Sequence, residues 1–320
     1  MRHLAVVTLI IVALGSLARQ GSAQSATVPP VASGGQDKSV RLWDSMGKQT
    51  LSFLAHDGAV TCLLFTPDGK RIISGGDDRT VRFWSVEDGT LENVLEAHDK
   101  DVLCMGISPD GRLLATGGAD NQIKLWNALN GVLIRAIPAH SQPVRAIAWR
   151  PDGQGFASGG ADRLIQIWRS DGGLAGTIVG HDEPVTALAY TRDGKFLFSG
   201  AADGFVKVWN ASDLTQVLRH RSHERLLSAL ALSPDGSQLA TAGSDGRIRL
   251  WTVVRNGLSE RASKSTERAV NAIAWSADGQ VIVSGGSDRA VRYWSAADLS
   301  ALLQTPPGPA AITAIAIQPR

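Results

Sequence analysis

The 320 residues include only two cysteines and no C-x-x-C-H run, so covalent haem attachment is excluded. No glycine-rich phosphate loop stands between a strand and a helix, and the many Gly-Gly pairs fall at strand ends instead. His220-Arg221-Ser222-His223 has no carboxylate or thiol cluster beside it, which removes a metal reading. Helix-period stretches are scarce. Beyond residue 17 no apolar run approaches the roughly 20 residues that cross a bilayer as a helix. Charge of one sign is missing too: 32 Lys and Arg against 30 Asp and Glu give +2 with no basic tract. Such a chain offers little to nucleic acid or to an anionic membrane surface.

What remains is an ordinary globular balance, 43% hydrophobic and 19% charged, with 34 glycines among many Thr, Val and Ile. That composition favours a β protein with many tight turns and enough apolar mass for a sizeable core.

The one long apolar stretch, Leu4 to Leu17, follows Arg2 and leads to the small residues Gly21-Ser22-Ala23. It reads as a signal peptide over residues 1 to 23, cleaved on export to a periplasmic or secreted destination. No cysteine follows it as a lipid-attachment site, so the mature chain, 24 to 320, is expected to be soluble and not inserted in a membrane. Cleavage takes away Arg2 and Arg19 and no acid, bringing the formal charge from +2 to 0.

Trp recurs at 43, 84, 126, 168, 209, 251 and 294, with spacings of 41, 42, 42, 41, 42 and 43. Six residues before each stands Asp37, Asp78, Asp120, Asp162, Asp203, Asp245 or Asp288, and ten before stands Ser33, Ser74, Thr116, Ser158, Ser199, Thr241 or Ser284. Within one unit, alternation and turn residues predict strands over Val60 to Phe65, Arg71 to Gly75, Thr80 to Trp84 and Leu91 to Leu95. Thr66-Pro67-Asp68-Gly69 forms the turn between the first two, proline presetting one dihedral and glycine accepting a positive one. A His stands four residues before the first strand in five units: His56, His98, His140, His181 and His223. The other two units have Thr266 and Gly308 there.

A His before the first strand, Ser or Thr on the second, Asp in the next turn and Trp on the third resemble the WD-repeat family, over residues 31 to 318. Only Trp43 is followed by the Asp that gives the family its name. The resemblance implies an all-β, seven-bladed β-propeller. The chain starts on a second strand, Pro30 to Ser33, and ends on a first strand, Ile312 to Ile317, so the C-terminal strand should complete the N-terminal blade. Both units without His adjoin that closure, which is expected to be the least stable region.

His56, Ser74 and Asp78 have the composition of a hydrolytic triad. The set recurs as His98, Thr116, Asp120; His140, Ser158, Asp162; His181, Ser199, Asp203; and His223, Thr241, Asp245, beside Trp84, Trp126, Trp168, Trp209 and Trp251. Fivefold repetition matches the family's structural tetrad and argues against catalysis, and no cofactor is implied. Arg41, Arg82, Lys124, Gln166, Lys207, Arg249 and Arg292 stand two residues before each Trp, and the cationic side chains are expected along apolar surface with their heads in water. Cys62 and Cys104 occupy the same position in successive first strands, where other units carry Ala146, Ala187, Ala229, Ala272 and Ala314. They are expected to be small buried residues about one sheet spacing apart, roughly 10 Å, too far for a disulfide.

Function then rests on the surface. In the resembled family the face carrying the His and Asp loops commonly receives peptides, and here it offers Gln36, Asp57, Asp77, Asp99, Lys100, Gln142, Glu183, Arg225 and Arg268. Ala119, Ala161, Ala202, Ser244 and Ser287, just before later tetrad aspartates, would leave the rim open. The expected function is a non-catalytic, monomeric protein-interaction scaffold outside the cytosol with a protein partner that the sequence does not name. The alternatives are a propeller using its central channel for a small ligand or an enzymatic reaction, and a structural subunit of an envelope complex.

Overall fold

The computed structural model describes residues 28–254 and 257–319, so the leader reading over residues 1 to 23 lies outside the described residues. Among the described residues every regular element is a strand, arranged as seven four-stranded antiparallel sheets. In blade two the strands run from the axis outward as Val60–Phe65, Arg71–Gly76, Thr80–Ser85 and Leu91–Glu96. Each boundary lies within a residue of the one read from alternation.

The ring closes between the two ends of the chain. Ile312–Ile317 pairs with Val31–Gly35 to complete blade one, Ile317 opposite Val31 and Ala314 opposite Gly34. The N-terminal strand starts one residue later than expected, because Pro30 has no amide hydrogen and contributes only its carbonyl, 3.0 Å from the Gln318 amide.

The core is divided into seven clusters, one per blade interface. Ala32, Val40 and Leu42 of blade one meet Val60, Phe65, Ile72 and Trp84 of blade two. At the closure, Val281, Val283 and Tyr293 of blade seven meet Val31, Trp43 and Ile312 of blade one. Each sheet therefore buries both faces against its neighbours.

A bulge stands at the second residue of every innermost strand, including Thr61, Thr186, Ser228, Asn271 and Thr313. The extra residue is aimed at the next blade. Asn271 Nδ2 donates to Ile312 O at 2.8 Å, and the hydroxyls of Thr61, Thr186, Ser228 and Thr313 donate to Val102, Leu227, Val270 and Val60 carbonyls. Leu103 and Arg145 hold the bulge in blades three and four and form no such bond among the described residues.

Cys62 and Cys104 are free. Cys104 is buried as expected, whereas Cys62 is only partly covered.

Amides of the Val31–Gly35 and Ile312–Ile317 pair are expected to exchange with deuterated solvent before those of Val144–Trp149 and Gly155–Gly160. Blades seven and one lack the His clasp and are joined by chain ends. Hydrogen exchange read by mass spectrometry checks this, and equal protection of the two pairs would refute it.

Candidate functional site

In blade two, Trp84 Nε1 donates to Ser74 Oγ at 2.9 Å, Ser74 Oγ lies 2.7 Å from His56 Nε2, and His56 Nδ1 lies 2.9 Å from Asp78. Blades three, four and five repeat the chain through Thr116, Ser158 and Ser199 at 2.8–3.0 Å. In blade six Arg249 joins it, 2.7 Å from His223 Nδ1 and 3.0 Å from Asp245, while Trp251 and His223 share Thr241.

The proton order in blades two to five follows from the indole, which only donates. The hydroxyl accepts from Trp and donates to Nε2. Nδ1–H then donates to a carboxylate. Ser74, Thr116, Ser158, Ser199 and Thr241 are fully buried, so none presents a nucleophile to solvent.

Burial holds His56, His98, His140 and His223 below their ordinary 6.5, outweighing the neighbouring carboxylates. For Asp78 burial acts upward, but bonds from the Asp57 amide, the Thr80 hydroxyl and His56 win and bring it to about 2. Asp120, Asp203 and Asp245 are lowered in the same way.

The carboxylate also fixes two loops. Amides of Asp57, Asp99, Ser141 and Asp182, each just after its His, donate to the tetrad Asp. Two residues beyond each Asp, amides from Ser39 to Ala290 close a side-chain turn in all seven blades. Lys38, Arg79, Asn121, Arg163 and Arg289 take positive φ inside it. Four of these are exposed cations that sequence reasoning missed, although each directly follows the tetrad Asp.

The side chains two residues before Trp correct the expectation that their heads lie in water. Arg41, Arg82, Arg249 and Arg292 fold back onto Asp37, Asp78, Asp245 and Asp288, and the buried Lys207 donates to Gly180 O. A half-buried carboxylate draws in the nearest cation. In blades one and seven the Arg holds the carboxylate that His reaches elsewhere, while Trp43 and Trp294 keep their bonds to Ser33 and Ser284 at 2.8 and 2.9 Å.

All nine candidate partner contacts are exposed, and each blade carries one or two, so they form a ring and not a cluster. Asp57 is 83% exposed yet reaches Arg82 at 3.0 Å. Blades two to five carry Asp57, Asp77, Asp99, Asp101, Asp182 and Glu183, relieved by Arg79, Lys100 and Arg163. Blades six, seven and one carry Arg225, Arg247, Arg268, Arg289 and Lys38, relieved by Glu224 and Glu267. The face is thus divided into an acidic and a basic arc. Gln36 and Gln142 are neutral members, and the Gln36 backbone N–H donates to Ala311 O at 3.0 Å. Among the described residues no three His, Cys, Asp or Glu side chains form a metal-binding group.

Closed four-stranded blades clasped by a Trp-hydroxyl-His-Asp chain define a β-propeller of repeated units. The WD domain, G-beta repeat model matches seven segments, residues 21–44, 47–85, 89–127, 131–169, 172–210, 214–252 and 261–295, and the chain belongs to this family. Nuclear distribution protein nudF 2 of Talaromyces marneffei is 35% identical over 75 residues, 23% of this chain and 17% of that protein. Nuclear distribution protein PAC1-1 of Uncinocarpus reesii is 40% identical over 67 residues, 21% of this chain and 15% of that protein. The chain thus spans less than a fifth of the length of these curated relatives. The solved structure of U3-55K is similar in fold, with a TM-score of 0.74 and 24% identity, covering 82% of this chain and 85% of that one.

Thr116→Val keeps shape but leaves the His98 and Trp126 ring nitrogens buried without a partner. A loss of about 2–4 kcal/mol is expected in urea unfolding, against little change for the exposed Thr177→Val. Equal stability of the two variants would remove the tetrad from the fold's supports.

Stability should also fall with pH in two stages. Four histidines are depressed in the folded state, so the unfolded chain takes up protons first and stability is lost as pH falls below 6.5. Asp78, at about 2 against an ordinary 3.8, adds a second loss as pH falls from 3.8 toward about 2. Urea midpoints that stay constant between about pH 7 and 5 would contradict the first stage.

Proposed function

We propose that this chain is a non-catalytic scaffold that holds a protein partner on the face carrying the His and Asp loops, in an extracytoplasmic compartment. The observation that carries the reading is the buried tetrad. Hydroxyl, imidazole and carboxylate are all committed to one another, which leaves the exposed loops as the chemistry available to a visitor.

Those loops suit recognition. Tetrad carboxylates pin their backbone amides from below, so a partner meets loops already ordered and little backbone freedom is lost on contact. The acidic and basic arcs favour a partner surface with the opposite arrangement, which sets orientation and encounter rate more than affinity. Export is supported by Leu4 to Leu17 and by Gly21-Ser22-Ala23, and neutrality after cleavage fits a protein partner better than a polyanion.

The test is capture from the exported fraction with the full-length gene product, its mature N-terminus read by mass spectrometry and expected at Gln24. A triple Ala variant at Asp57, Lys100 and Arg225 should keep its unfolding midpoint and bind the captured protein about tenfold or more weakly. Unchanged capture would move the partner to another face, and recovery only from the cytosol would reject export.

A further inference from the structure

We propose that the groove between blades five and six, on the face opposite the His and Asp loops, is a site for a small amphipathic molecule with an aliphatic body and a single carboxylate. The inference is independent of the partner-binding reading. It begins with a contact that the other turns share.

On this opposite face each turn leans on the one before it. A methyl group placed on Gly111 would lie 3.2 Å from Pro67 Cδ, and one on Gly279 would lie 3.5 Å from Pro234 Cδ. Gly153 and Gly194 face Pro109 and Pro151 in the same way at 3.9 and 3.8 Å. At the junction of blades five and six the pattern breaks. Arg192 stands where the proline would be, and a methyl group placed on Gly236 would meet nothing within 4 Å.

The outer strands of blade six are also longer, Arg247–Val254 and Gly257–Ser265, against six residues in the corresponding strands of blade five, so they rise as a wall beside the gap. The result is a cleft of about 790 Å³ floored by Phe196, Phe198, Val208, Leu218 and Val253. That volume lies in the range of small-molecule sites. Val217 and Val254, 52% and 47% exposed, form an apolar lip.

The charges at the mouth decide the head group. Asp193 accepts the Thr191 hydroxyl at 2.7 Å and the Lys195 amide at 3.1 Å. Asp235 accepts the Ser233 and Ser237 hydroxyls at 2.6 and 2.7 Å. Asp193 is also paired with the Lys195 ammonium at 3.5 Å, and Asp235 has its oxygens taken by its own turn. Both keep their charge but are bonded already, whereas the exposed Arg192 guanidinium has no side-chain partner among the described residues. The group left with free hydrogen-bond donors is a guanidinium, and its planar donors fit a carboxylate.

Isothermal titration of the full chain with dodecanoate below its micellar concentration tests this, with dodecanol and dodecylammonium as uncharged and opposite-charge controls. One saturable dodecanoate site is expected, with dodecanol weaker and dodecylammonium weaker still. Arg192→Gln should weaken dodecanoate by about tenfold and leave dodecanol unchanged. Arg192→Pro, which restores the contact with Gly236, should abolish binding while keeping the thermal midpoint. Val217→Asp, on the exposed lip, gives a second route to lost binding without touching the turn. Equal binding of the three probes, no saturable site, or dodecanoate binding that survives both Arg192→Pro and Val217→Asp would overturn the assignment.

Discussion

The fold depends on one hydrogen-bonded chain whose direction is set by a group that can only give. Because an indole has no acceptor, the hydroxyl above it must receive, the imidazole must receive from the hydroxyl, and the carboxylate must receive from the imidazole. Trp84, Ser74, His56 and Asp78 thereby join the third strand, the second strand, the loop before the first strand and the turn between second and third. Four segments of a blade are fixed by three bonds. The buried imidazole is kept neutral and the carboxylate charged, so the polar chain is fully paired without an uncompensated buried cation.

From that clasp the properties of the face follow. The carboxylate is half-buried, and it collects backbone amides from the loop after His and from its own turn, then a guanidinium where Arg is within reach. These contacts hold the recognition loops at a fixed height around the ring. They also explain how blades one and seven do without His: Arg41 and Arg292 deliver a cation to Asp37 and Asp288 from the third strand. The same carboxylate is satisfied from the opposite side.

The repeat, its strands, the closure and the five complete His-containing sets were legible in the sequence because each is carried by local alternation or by a fixed spacing. Trp and Asp six residues apart lie at two ends of one strand and its turn, so periodicity alone places them together. The fate of Arg41 and Arg249 was not legible. Four residues from an Asp across a turn, a cation has two outlets, water or the carboxylate, and the choice depends on how far the Asp is buried, which no spacing reports. The charge arcs escaped for another reason: Lys38 joins Arg225 and Arg268 only when the chain closes. Asp101, Arg247 and Arg289 belong to the same face and lie one to three residues from positions that the repeat did mark.

Repetition also makes exceptions readable. In a ring of near-identical blades each turn has a partner of known type, so a substitution shows as a missing contact and not as one more variable loop. Arg192 in the proline position changes two things together: it removes the apolar ring that would cover Gly236, and it places a cation beside the apolar surface so uncovered. A merely weakened interface would be expected to shrink that gap by moving the sheets together. The gap stays open because Phe196 and Phe198 are anchored in the second strand of blade five, while Leu227 and Leu230 of blade six fill the space that a side chain at Gly200 would need. Inner packing holds the two sheets at their spacing, and the outer end of the interface is left as a groove.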